Sequence, residues 1–399
     1  MSNELIFSVV GQGYVGLPLS IELAKISSKV FAIDINHELI QNLNKAETKI
    51  EGINNIDLKA LVESGKFIAT TSFEGISSSN FIFICVPTPI DSNRKPDLTY
   101  LISAVESVAK NISPNSTIIV ESTIEPGTTR NVIIPLIENV SGLGRDQFEI
   151  AFSPERIDPA NLNWNITNTP KMVSGYTDLT AEKVKEIYSL FIDEVFTCKS
   201  LEVAEMAKLL ENSFRLVNIS FINEISKVCR KIGIDVNDVI NAASTKPFGF
   251  MPFYPSVGVG GHCIPVDPLY LVNMADEIGV NVEMIKLADE INFKLPDFFV
   301  SEADHKIGGL KGKRVLVIGV SYKPNVSDVR ETPVEALVDG LKSKGANVFW
   351  HDNYVKVWNG EESTALSEDF DLAIIATPHD YLDLSKLGKV KVLNTRSSI

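Results

Sequence analysis

The chain has 399 residues, of which 44% are hydrophobic, and its formal net charge is −14. This length exceeds one ordinary hydrophobic core and favours two or three domains. The acidic balance argues against nucleic acid and against an anionic membrane surface as general partners. The first apolar run breaks at Gly11 without a preceding basic segment, and no stretch approaches about 18 uninterrupted apolar residues. We therefore expect neither a typical signal peptide nor a membrane-spanning helix.

The four cysteines, Cys85, Cys198, Cys229 and Cys263, show no CxxC spacing. We expect reduced thiols in the cytoplasm. Cys85 lies inside an apolar run, which favours a core position. The five histidines include no pair at ligand spacing, so no metal site is expected.

The N-terminal stretch predicts a dinucleotide-binding motif. A predicted strand over residues 5–10 leads into a glycine-rich turn and a helix, and a second strand over residues 29–33 ends at Asp34. The turn reads Gly11-Gln12-Gly13-Tyr14-Val15-Gly16. Its first glycine allows the tight turn, its second lets a pyrophosphate approach, and its third lets helix and strand pack closely. The Asp34 carboxylate would accept from ribose hydroxyls and repel a 2′-phosphate, which favours NAD over NADP.

Further predicted strands end in polar motifs. These strands cover residues 81–86, 116–121 and 148–152. Ligands contact the carboxyl ends of the strands in a doubly wound sheet, so Thr88, Thr123 and Glu155 are candidate cofactor, substrate or catalytic residues. The alternatives are that each hydroxyl caps the next helix and that Glu155 is a surface acid.

Neither Gly nor Pro interrupts the chain from about residue 200 to residue 232. This pattern predicts one helix of about 30 residues, which is typical of a helix that joins domains or forms a dimer seam. Apolar residues recur at Leu201, Ala204, Ala207, Leu210, Phe214, Val217 and Phe221. Lys208 and Asn212 share one face of this helix and are either solvated or directed at a site.

A second glycine-rich stretch, residues 254–268, leads into Cys263. Such a loop can press main-chain N–H groups against a substrate and present the following side chain. Pro265 and Pro268 suit the first turn of a helix. A cysteine at a helix N-terminus would feel the positive end of the helix dipole, which favours the thiolate. The alternative is a simple turn before a buried cysteine.

The C-terminal part predicts a second α/β unit without a GxGxxG motif. Its predicted strands and helix cover residues 315–318, 334–342, 347–350, 371–376 and 390–393. We expect it to hold a different nucleotide portion. Lys323 and Arg330 could neutralise a diphosphate.

In combination, these motifs resemble the UDP-glucose/GDP-mannose dehydrogenases, a family of nucleotide-sugar 6-dehydrogenases. The resemblance covers essentially the whole chain and rests on Gly11 to Gly16, Val86-Pro87-Thr88-Pro89, Glu121-Ser122-Thr123, Ser153-Pro154-Glu155-Arg156, Lys208 to Asn212, Gly260 to Asp267, Lys323 and Arg330. It implies two Rossmann-like α/β domains joined by a long central helix that forms a dimer interface. It also implies oxidation of a sugar CH₂OH to a carboxylate with two NAD. We expect an NAD-binding domain over residues 1–198, a central dimerisation and active-site domain over 199–295, and a UDP-binding domain over 296–399.

The resemblance also implies catalytic roles. Cys263 matches the nucleophile that forms a thiohemiacetal and then a thioester, as covalent capture of an aldehyde requires. Lys208 matches the lysine that stabilises the oxyanion, with Asn212 beside it. Asp267 matches the acid that assists proton transfer through water, although it could also be a helix N-cap before Pro268. The remaining hydrogen-bonding and hydrolytic groups match Thr123 and Glu155.

Binding roles follow from the same resemblance. The expected cofactor-binding residues are Gly11, Gln12, Gly13, Tyr14, Val15, Gly16, Asp34, Val86, Thr88, Thr123 and Arg330. The expected substrate-binding residues are Glu155, Arg156, Lys208, Asn212, Phe253, Tyr254, Gly260, Lys323 and Arg396. Arg396 resembles a C-terminal arginine near the UDP, and Asn394 stands where an aspartate is usual.

The motifs look most like those of UDP-N-acetylhexosamine dehydrogenases, and within them the UDP-N-acetylglucosamine type. Ser256-Val257 is nearer the UDP-glucose form. UDP-glucose, UDP-N-acetylgalactosamine and UDP-N-acetylmannosamine are therefore alternative substrates. Outside the family, the alternatives are a two-electron β-hydroxyacid dehydrogenase, which needs no cysteine, and a non-catalytic nucleotide-sugar-binding protein.

Overall fold

The computed structural model describes residues 5–50, 52–158, 161, 163–380 and 382–397. The expectation of no signal peptide rests partly on residues 1–4, which lie outside the described residues. The chain divides into two compact units, Met1–Leu210 and Glu211–Ile399. None of the described helices is both long enough and apolar enough to span a membrane.

The first unit is built on one twisted sheet. Its strands are β1 Ile6–Val10, β2 Lys29–Ile33, β3 Phe67–Thr70, β4 Phe81–Ile84, β5 Thr117–Val120, β6 Glu149–Phe152, β7 Lys171–Gly175 and β8 Val195–Thr197. Their order is β3-β2-β1-β4-β5-β6-β7-β8, and each neighbouring pair is parallel except β6 and β7. The strand order reverses at β1 and β4, which is where a doubly wound sheet binds its ligand.

Helices cover both faces of this sheet. They are α1 Gly16–Ile26, α2 His37–Asn44, α3 Asn55–Glu63, α4 Thr99–Ala109, α5 Ile134–Ser141 and α6 Asp178–Tyr188. Alternate residues of β4 pack into two separate cores: Phe81 and Phe83 into one, Ile82 and Ile84 into the other. A strand that is buried on both faces has a continuous apolar sequence, which explains why β4 was predictable from the sequence.

The predicted long helix is α7, Leu201–Ile232, and it carries residues of both units. Leu201 and Ala204 are buried in a core of the first unit, whereas Leu210, Phe214 and Phe221 are exposed. The apolar residues that indicated the helix therefore lie partly in a core and partly on the surface. Near the middle of α7, Lys208, Asn212 and Ser213 are buried, while the apolar side chains are divided between buried and exposed positions.

The second unit carries a smaller parallel sheet. Its elements after α7 are α8 Val236–Ser244, α9 Asp267–Glu277, α10 Glu283–Ile307, β9 Arg314–Ile318, α11 Val334–Ser343, β10 Asn347–His351, β11 Val357–Trp358, β12 Glu361–Glu362, β13 Leu372–Ile375 and β14 Lys391–Asn394. The parallel strands are ordered β10-β9-β13-β14, and β11 and β12 form a separate antiparallel pair. This order repeats β2-β1-β4-β5 of the first unit. The predicted fold of two Rossmann-like α/β domains and a long central helix is confirmed.

Candidate active site

The turn after β1 has the shape that a pyrophosphate requires. Gly11 has a φ of +93°, and a Cβ there would lie 2.6 Å from the carbonyl oxygen of Cys85. A Cβ at Gly16 would lie 1.7 Å from the carbonyl oxygen of Gly11. At Gly13, by contrast, a Cβ would meet no atom of the described residues within 4 Å. The outer glycines thus close the turn, while the middle one leaves its backbone open to a ligand.

Asp34 follows β2 and lies against this turn. Its Oδ2 accepts a hydrogen bond from the Gln12 amide at 2.8 Å, and its Oδ1 accepts from the Asn36 amide at 2.9 Å. Gln12 is itself buried, and its side-chain Nε2 donates to the Val9 carbonyl at 2.8 Å. The carboxylate therefore holds the turn and lies where a ribose would need an acceptor. These residues fit NAD.

The ends of β4 and β5 are linked to each other. The hydroxyl of Ser122 donates to the Val86 carbonyl at 2.6 Å. Thr88 is buried and Thr123 is half-buried. The next helical segments have Leu98 and Thr128 as their N-caps, so the alternative that Thr88 or Thr123 caps a helix is wrong. The hydroxyls lie at the carboxyl edge of the sheet, as predicted.

Two buried glutamates support these strand ends, and sequence reasoning missed both of these roles. Glu121 accepts hydrogen bonds from Lys171 at 2.6 Å and from the Tyr188 hydroxyl. Glu205 of α7 accepts from the Gly127 amide at 2.6 Å and the Thr129 amide at 3.0 Å, and burial raises its pKa. Glu205 thereby fixes the chain that follows Thr123. Glu205 lies three residues before Lys208, so the two share one face of α7. This spacing is the signal by which the sequence could have indicated a buried role for Glu205.

Lys208 is paired inside the first unit with the end of β6. Its Nζ donates to the Glu155 carbonyl at 2.5 Å and lies 4.0 Å from Glu155 Oε2. The two side chains are only 7% and 12% exposed. The alternatives of a solvated lysine and a surface glutamate are both wrong. Arg156, the next residue, donates from its guanidinium to the Pro170 carbonyl at 2.7 Å.

Cys263 is presented to solvent by a fixed loop in the second unit. Of the four cysteines, which all lie in described residues, Cys263 is exposed and the other three are buried. The alternative of a buried cysteine is therefore wrong, and the core position of Cys85 is confirmed. Asn223 accepts from the Ser256 amide at 2.9 Å, and Asn292 accepts from the Val259 amide at 2.6 Å. These two asparagines fix the start of the loop.

The glycines of this loop pack closely against the chain that follows β9. A Cβ at Gly260 would lie 2.6 Å from the Glu331 carbonyl oxygen, and one at Gly261 would lie 2.8 Å from the Tyr322 ring. The Gly261 amide donates to the Arg330 carbonyl at 3.1 Å. The protein's own chain thus requires these glycines, whereas the sequence had suggested a close approach of substrate.

Helix α9 begins later than the sequence suggested. It starts at Asp267 with Val266 as its N-cap and Pro268 in its first turn, so Asp267 is not the N-cap. Cys263 precedes the helix, although its carbonyl accepts from the Asp267 amide at 2.8 Å. The helix dipole acts mainly within the first turn. The prediction that Cys263 lies at the helix N-terminus is therefore wrong.

Asp267 is buried and pairs with α7. Its Oδ2 accepts a hydrogen bond from Asn212 Nδ2 at 2.5 Å. Asn212 is buried as well, which excludes the solvated alternative for this residue. The amide and the carboxylate are therefore both buried, and Asp267 follows Cys263 by four residues, so its carboxylate is a candidate for proton transfer.

Cationic side chains lie on the segment that follows β9. The Arg330 guanidinium forms a two-point ion pair with Asp328, with contacts of 3.0 and 2.6 Å. The Nζ of Lys323 lies 6.0 Å from the centroid of the Tyr322 ring. Burial, with the charge of Arg330, lowers the pKa of His262. The His262 imidazole, which directly precedes Cys263, is therefore less readily protonated than a free imidazole.

The remaining predicted substrate residues lie elsewhere in the second unit. Arg396 is held through its backbone: its carbonyl accepts from Asn237 Nδ2 at 3.0 Å, and its amide donates to Asn394 Oδ1 at 2.9 Å. Burial lowers the pKa of Arg396. Phe253 packs edge-on against Phe214 at 5.8 Å between ring centroids, and Tyr254 is half exposed.

Comparisons with known proteins match nearly the whole chain. Three models of the UDP-glucose/GDP-mannose dehydrogenase family match in order: the NAD binding domain over residues 6–192, the central domain over 202–294 and the UDP binding domain over 316–398. Protein CapL of Staphylococcus aureus is 36% identical over 95% of this chain and 91% of that protein. UDP-N-acetyl-D-glucosamine 6-dehydrogenase of Pseudomonas aeruginosa is 34% identical over 98% of this chain and 95% of that protein.

A solved structure agrees with these matches. The UDP-D-ManNAc dehydrogenase from Pyrococcus horikoshii superposes with a TM-score of 0.91 and 31% identity, over 99% of this chain and 96% of that one. The glycine turn with its acid supplies the residues for NAD, and the C-terminal unit matches a UDP binding domain. The chain therefore belongs to the UDP-glucose/GDP-mannose dehydrogenase family and is an NAD-dependent UDP-sugar dehydrogenase.

Proposed function

We propose that this enzyme oxidises the C6 hydroxymethyl group of UDP-N-acetylglucosamine to a carboxylate. The observation that carries the proposal is the single exposed cysteine, Cys263, on a fixed loop directly before the buried Asn212–Asp267 pair. A two-electron alcohol dehydrogenation would need no such nucleophile. A four-electron oxidation does, because the aldehyde formed midway must be held until its second hydride leaves.

The chemistry balances with two cofactors and one water. The alcohol first loses a hydride and a proton to give the aldehyde, and the thiolate of Cys263 adds to the aldehyde carbon. Loss of a second hydride from this thiohemiacetal gives a thioester, and water then breaks the C–S bond and releases the carboxylate. NAD, when bound, accepts each hydride. The sum is one alcohol, one water and two NAD⁺ giving one carboxylate, two NADH and three protons.

Residues of this chain have distinct roles in the proposal. Lys208 stabilises negative oxygen, because a buried ammonium acts strongly where water is excluded. Asn212 and Asp267 orient the water through which protons move. Thr123 contributes a hydrogen bond to the reacting groups. Glu155, whose side chain is nearly buried, assists the water that hydrolyses the thioester. Lys323 contacts the UDP moiety.

Two epimeric sugars, N-acetylglucosamine and N-acetylmannosamine, are the candidates for the sugar of the substrate. The relative from Pseudomonas aeruginosa carries the N-acetylglucosamine name, whereas the Pyrococcus horikoshii structure and a relative from Methanocaldococcus jannaschii that is 33% identical carry the N-acetylmannosamine name. The epimers differ only at C2. The N-acetylglucosamine assignment rests on the motif pattern, and UDP-N-acetylmannosamine is the second candidate.

A substrate panel tests the assignment. NADH absorbance is followed with UDP-N-acetylglucosamine, UDP-N-acetylmannosamine, UDP-N-acetylgalactosamine and UDP-glucose at equal concentrations. We expect the highest kcat/KM with UDP-N-acetylglucosamine and two NADH per sugar. A higher value with the manno epimer would move the assignment to the second candidate. A yield of one NADH would contradict four-electron oxidation.

We also propose that the enzyme acts in the cytoplasm as a homodimer, with functional domains over residues 1–198, 199–295 and 296–399. The dimer is supported by apolar side chains that α7 exposes along one stripe. These are Val203, Met206, Leu210, Phe214, Phe221, Val228 and Ile232. Free cysteines support a reducing compartment, because a nucleophilic thiol must stay reduced.

A further inference from the structure

The second unit repeats the acid-and-turn arrangement of the first. Asp352 follows β10 as Asp34 follows β2. Its Oδ2 accepts from the Val320 amide at 2.8 Å, which is the same contact that Asp34 makes with Gln12. In each unit the acid after the second strand therefore holds the turn after the first strand.

The surroundings of the two acids differ. Asp34 is half-buried, whereas Asp352 is 2% exposed. His379, which follows β13, places its Nε2 3.0 Å from Asp352 Oδ2, and the amides of Tyr354 and Val355 donate to Oδ1 at 2.8 and 3.0 Å. The Tyr354 ring packs on the imidazole with 4.7 Å between centroids. The Asp352 carboxylate is thus enclosed by protein donors and stabilises the fold of the second unit.

The partners of His379 define its proton position. Its Nδ1 accepts a hydrogen bond from the Asn325 amide at 2.9 Å, so Nδ1 carries no proton. The proton is therefore on Nε2, which donates to Asp352. Burial tends to raise the pKa of Asp352, but donation from His379 and from the Val355 and Val320 amides outweighs it and holds that pKa below its usual value. A neutral imidazole thus bridges an ionised carboxylate and a backbone amide.

That amide belongs to the segment that carries Lys323. Asn325 has a φ of +64°, in the left-handed region that asparagine tolerates better than most residues. Asp380, next to His379, also contacts Asn325: its carboxylate accepts from Asn325 Nδ2 at 2.7 Å, and its amide donates to Asn325 Oδ1 at 3.1 Å. His379 and Asp380 therefore hold Asn325, which lies two residues after Lys323, through three hydrogen bonds.

We propose that His379 is a positioning residue for UDP recognition: by accepting a hydrogen bond from the Asn325 amide it fixes residues 321–325 and so holds Lys323 in place for the diphosphate. This inference rests on the proposed substrate role of Lys323. It assigns to a buried histidine a function that no sequence motif indicated.

Two amide variants separate the two hydrogen bonds of His379. His379→Asn keeps an acceptor at the position of Nδ1 and loses the donor to Asp352, so this variant tests the bond to the carboxylate. His379→Gln keeps a donor at the position of Nε2 and leaves the Asn325 amide unpaired. UDP and NAD affinities are measured by titration calorimetry for the wild type and both variants.

We expect His379→Gln to weaken UDP binding about tenfold, as an unpaired and partly buried donor predicts. His379→Asn should stay within about threefold of the wild type, and both should bind NAD normally. Wild-type UDP affinity in His379→Gln, or equal losses in the two variants, would overturn the inference. If the wild type itself did not bind UDP, the proposed function would fail instead.

A second variant covers the case in which His379→Gln does not fold, as circular dichroism and loss of a thermal unfolding transition would show. Asp380→Ala removes only the exposed acceptor of Asn325 and leaves His379 and Asp352 intact. We expect UDP binding to weaken several-fold with unchanged NAD binding. Unchanged UDP affinity in Asp380→Ala would count against a pinned segment.

Discussion

Asp34 serves both the fold and the cofactor. It accepts the Gln12 amide and also lies where a ribose needs an acceptor. We predict that Asp34→Ala weakens NAD binding about ten- to hundredfold, because hydrogen bonds to charged groups contribute about 1.5–3 kcal/mol. Fluorescence titration with NAD measures this change. Asp57→Ala, at an exposed acid on α3, is the control and should have no effect. Equal use of NAD and NADP by the wild type would contradict this role of Asp34.

Lys208 is the buried ammonium of the proposed chemistry. We predict that Lys208→Ala lowers kcat about 10²–10³-fold, the usual effect of removing one group that stabilises an oxyanion. Steady-state kinetics with the preferred UDP-sugar measures this value. Lys231→Ala, an exposed lysine on the same helix, should leave kcat unchanged. A kcat for Lys208→Ala near the wild-type value would exclude Lys208 from the chemical steps.

At the scale of elements, α7 is anchored by its first turn. The Arg130 guanidinium donates to Glu202 at 2.6 Å and holds the pKa of Glu202 at about 2. A carboxylate whose folded pKa lies below its unfolded value stabilises the fold above the unfolded pKa. This contribution is lost as the pH falls from about 4.5 towards 2.

We predict that Glu202→Gln lowers the free energy of unfolding at pH 7 by less than about 1 kcal/mol, since both side chains are partly exposed. The difference from the wild type should shrink as the pH falls below 4.5. Thermal unfolding at several pH values measures it. Glu63→Gln, in the looser and more exposed pair with Lys59, should show a smaller difference. A difference that stayed constant with pH would show that the ion pair is not its source.

The exposed apolar stripe of α7 predicts a second copy of the chain. We expect the wild type to sediment as a dimer and the double variant Phe214→Asp, Phe221→Asp to sediment as a monomer, because each subunit of a dimer would bury two charges without partners. Leu179→Asp on α6, where the leucine is 81% exposed, is the control. A wild type that is monomeric and fully active would remove the dimer from the account.

Local patterns account for what the sequence predicted well. The glycine turn, its acid and the two strands β1 and β2 lie within residues 6–34, and each of the later apolar strands carries its own local pattern. The burial of Lys208 and Asn212 was not predictable in this way. It depends on partners at Glu155 and Asp267, which are 53 and 55 residues distant in sequence.

At the scale of the whole molecule, the two units share one α/β topology, but the turn after the first strand differs in its surroundings. In the first unit the turn after β1 stays open at Gly13, as a dinucleotide requires. In the second unit the corresponding acid is enclosed by His379, and the chain after β9 supports both Lys323 and the Cys263 loop. The sequence revealed the repeated α/β plan but not this difference, because His379 and Asp352 carry no motif and meet only in the fold.

Covalent oxidation by Cys263 is the central claim, and the total NADH formed from a limiting amount of UDP-sugar tests it most directly. The wild type should give two NADH per sugar, and Cys263→Ser should give no net carboxylate, because a serine hydroxyl is a much weaker nucleophile than a thiolate. Cys229→Ser, at a buried cysteine, is the control for the substitution. Glu155→Gln should accumulate a thioester on Cys263 that intact-protein mass spectrometry detects. Carboxylate formation by Cys263→Ser at the wild-type rate would contradict the account.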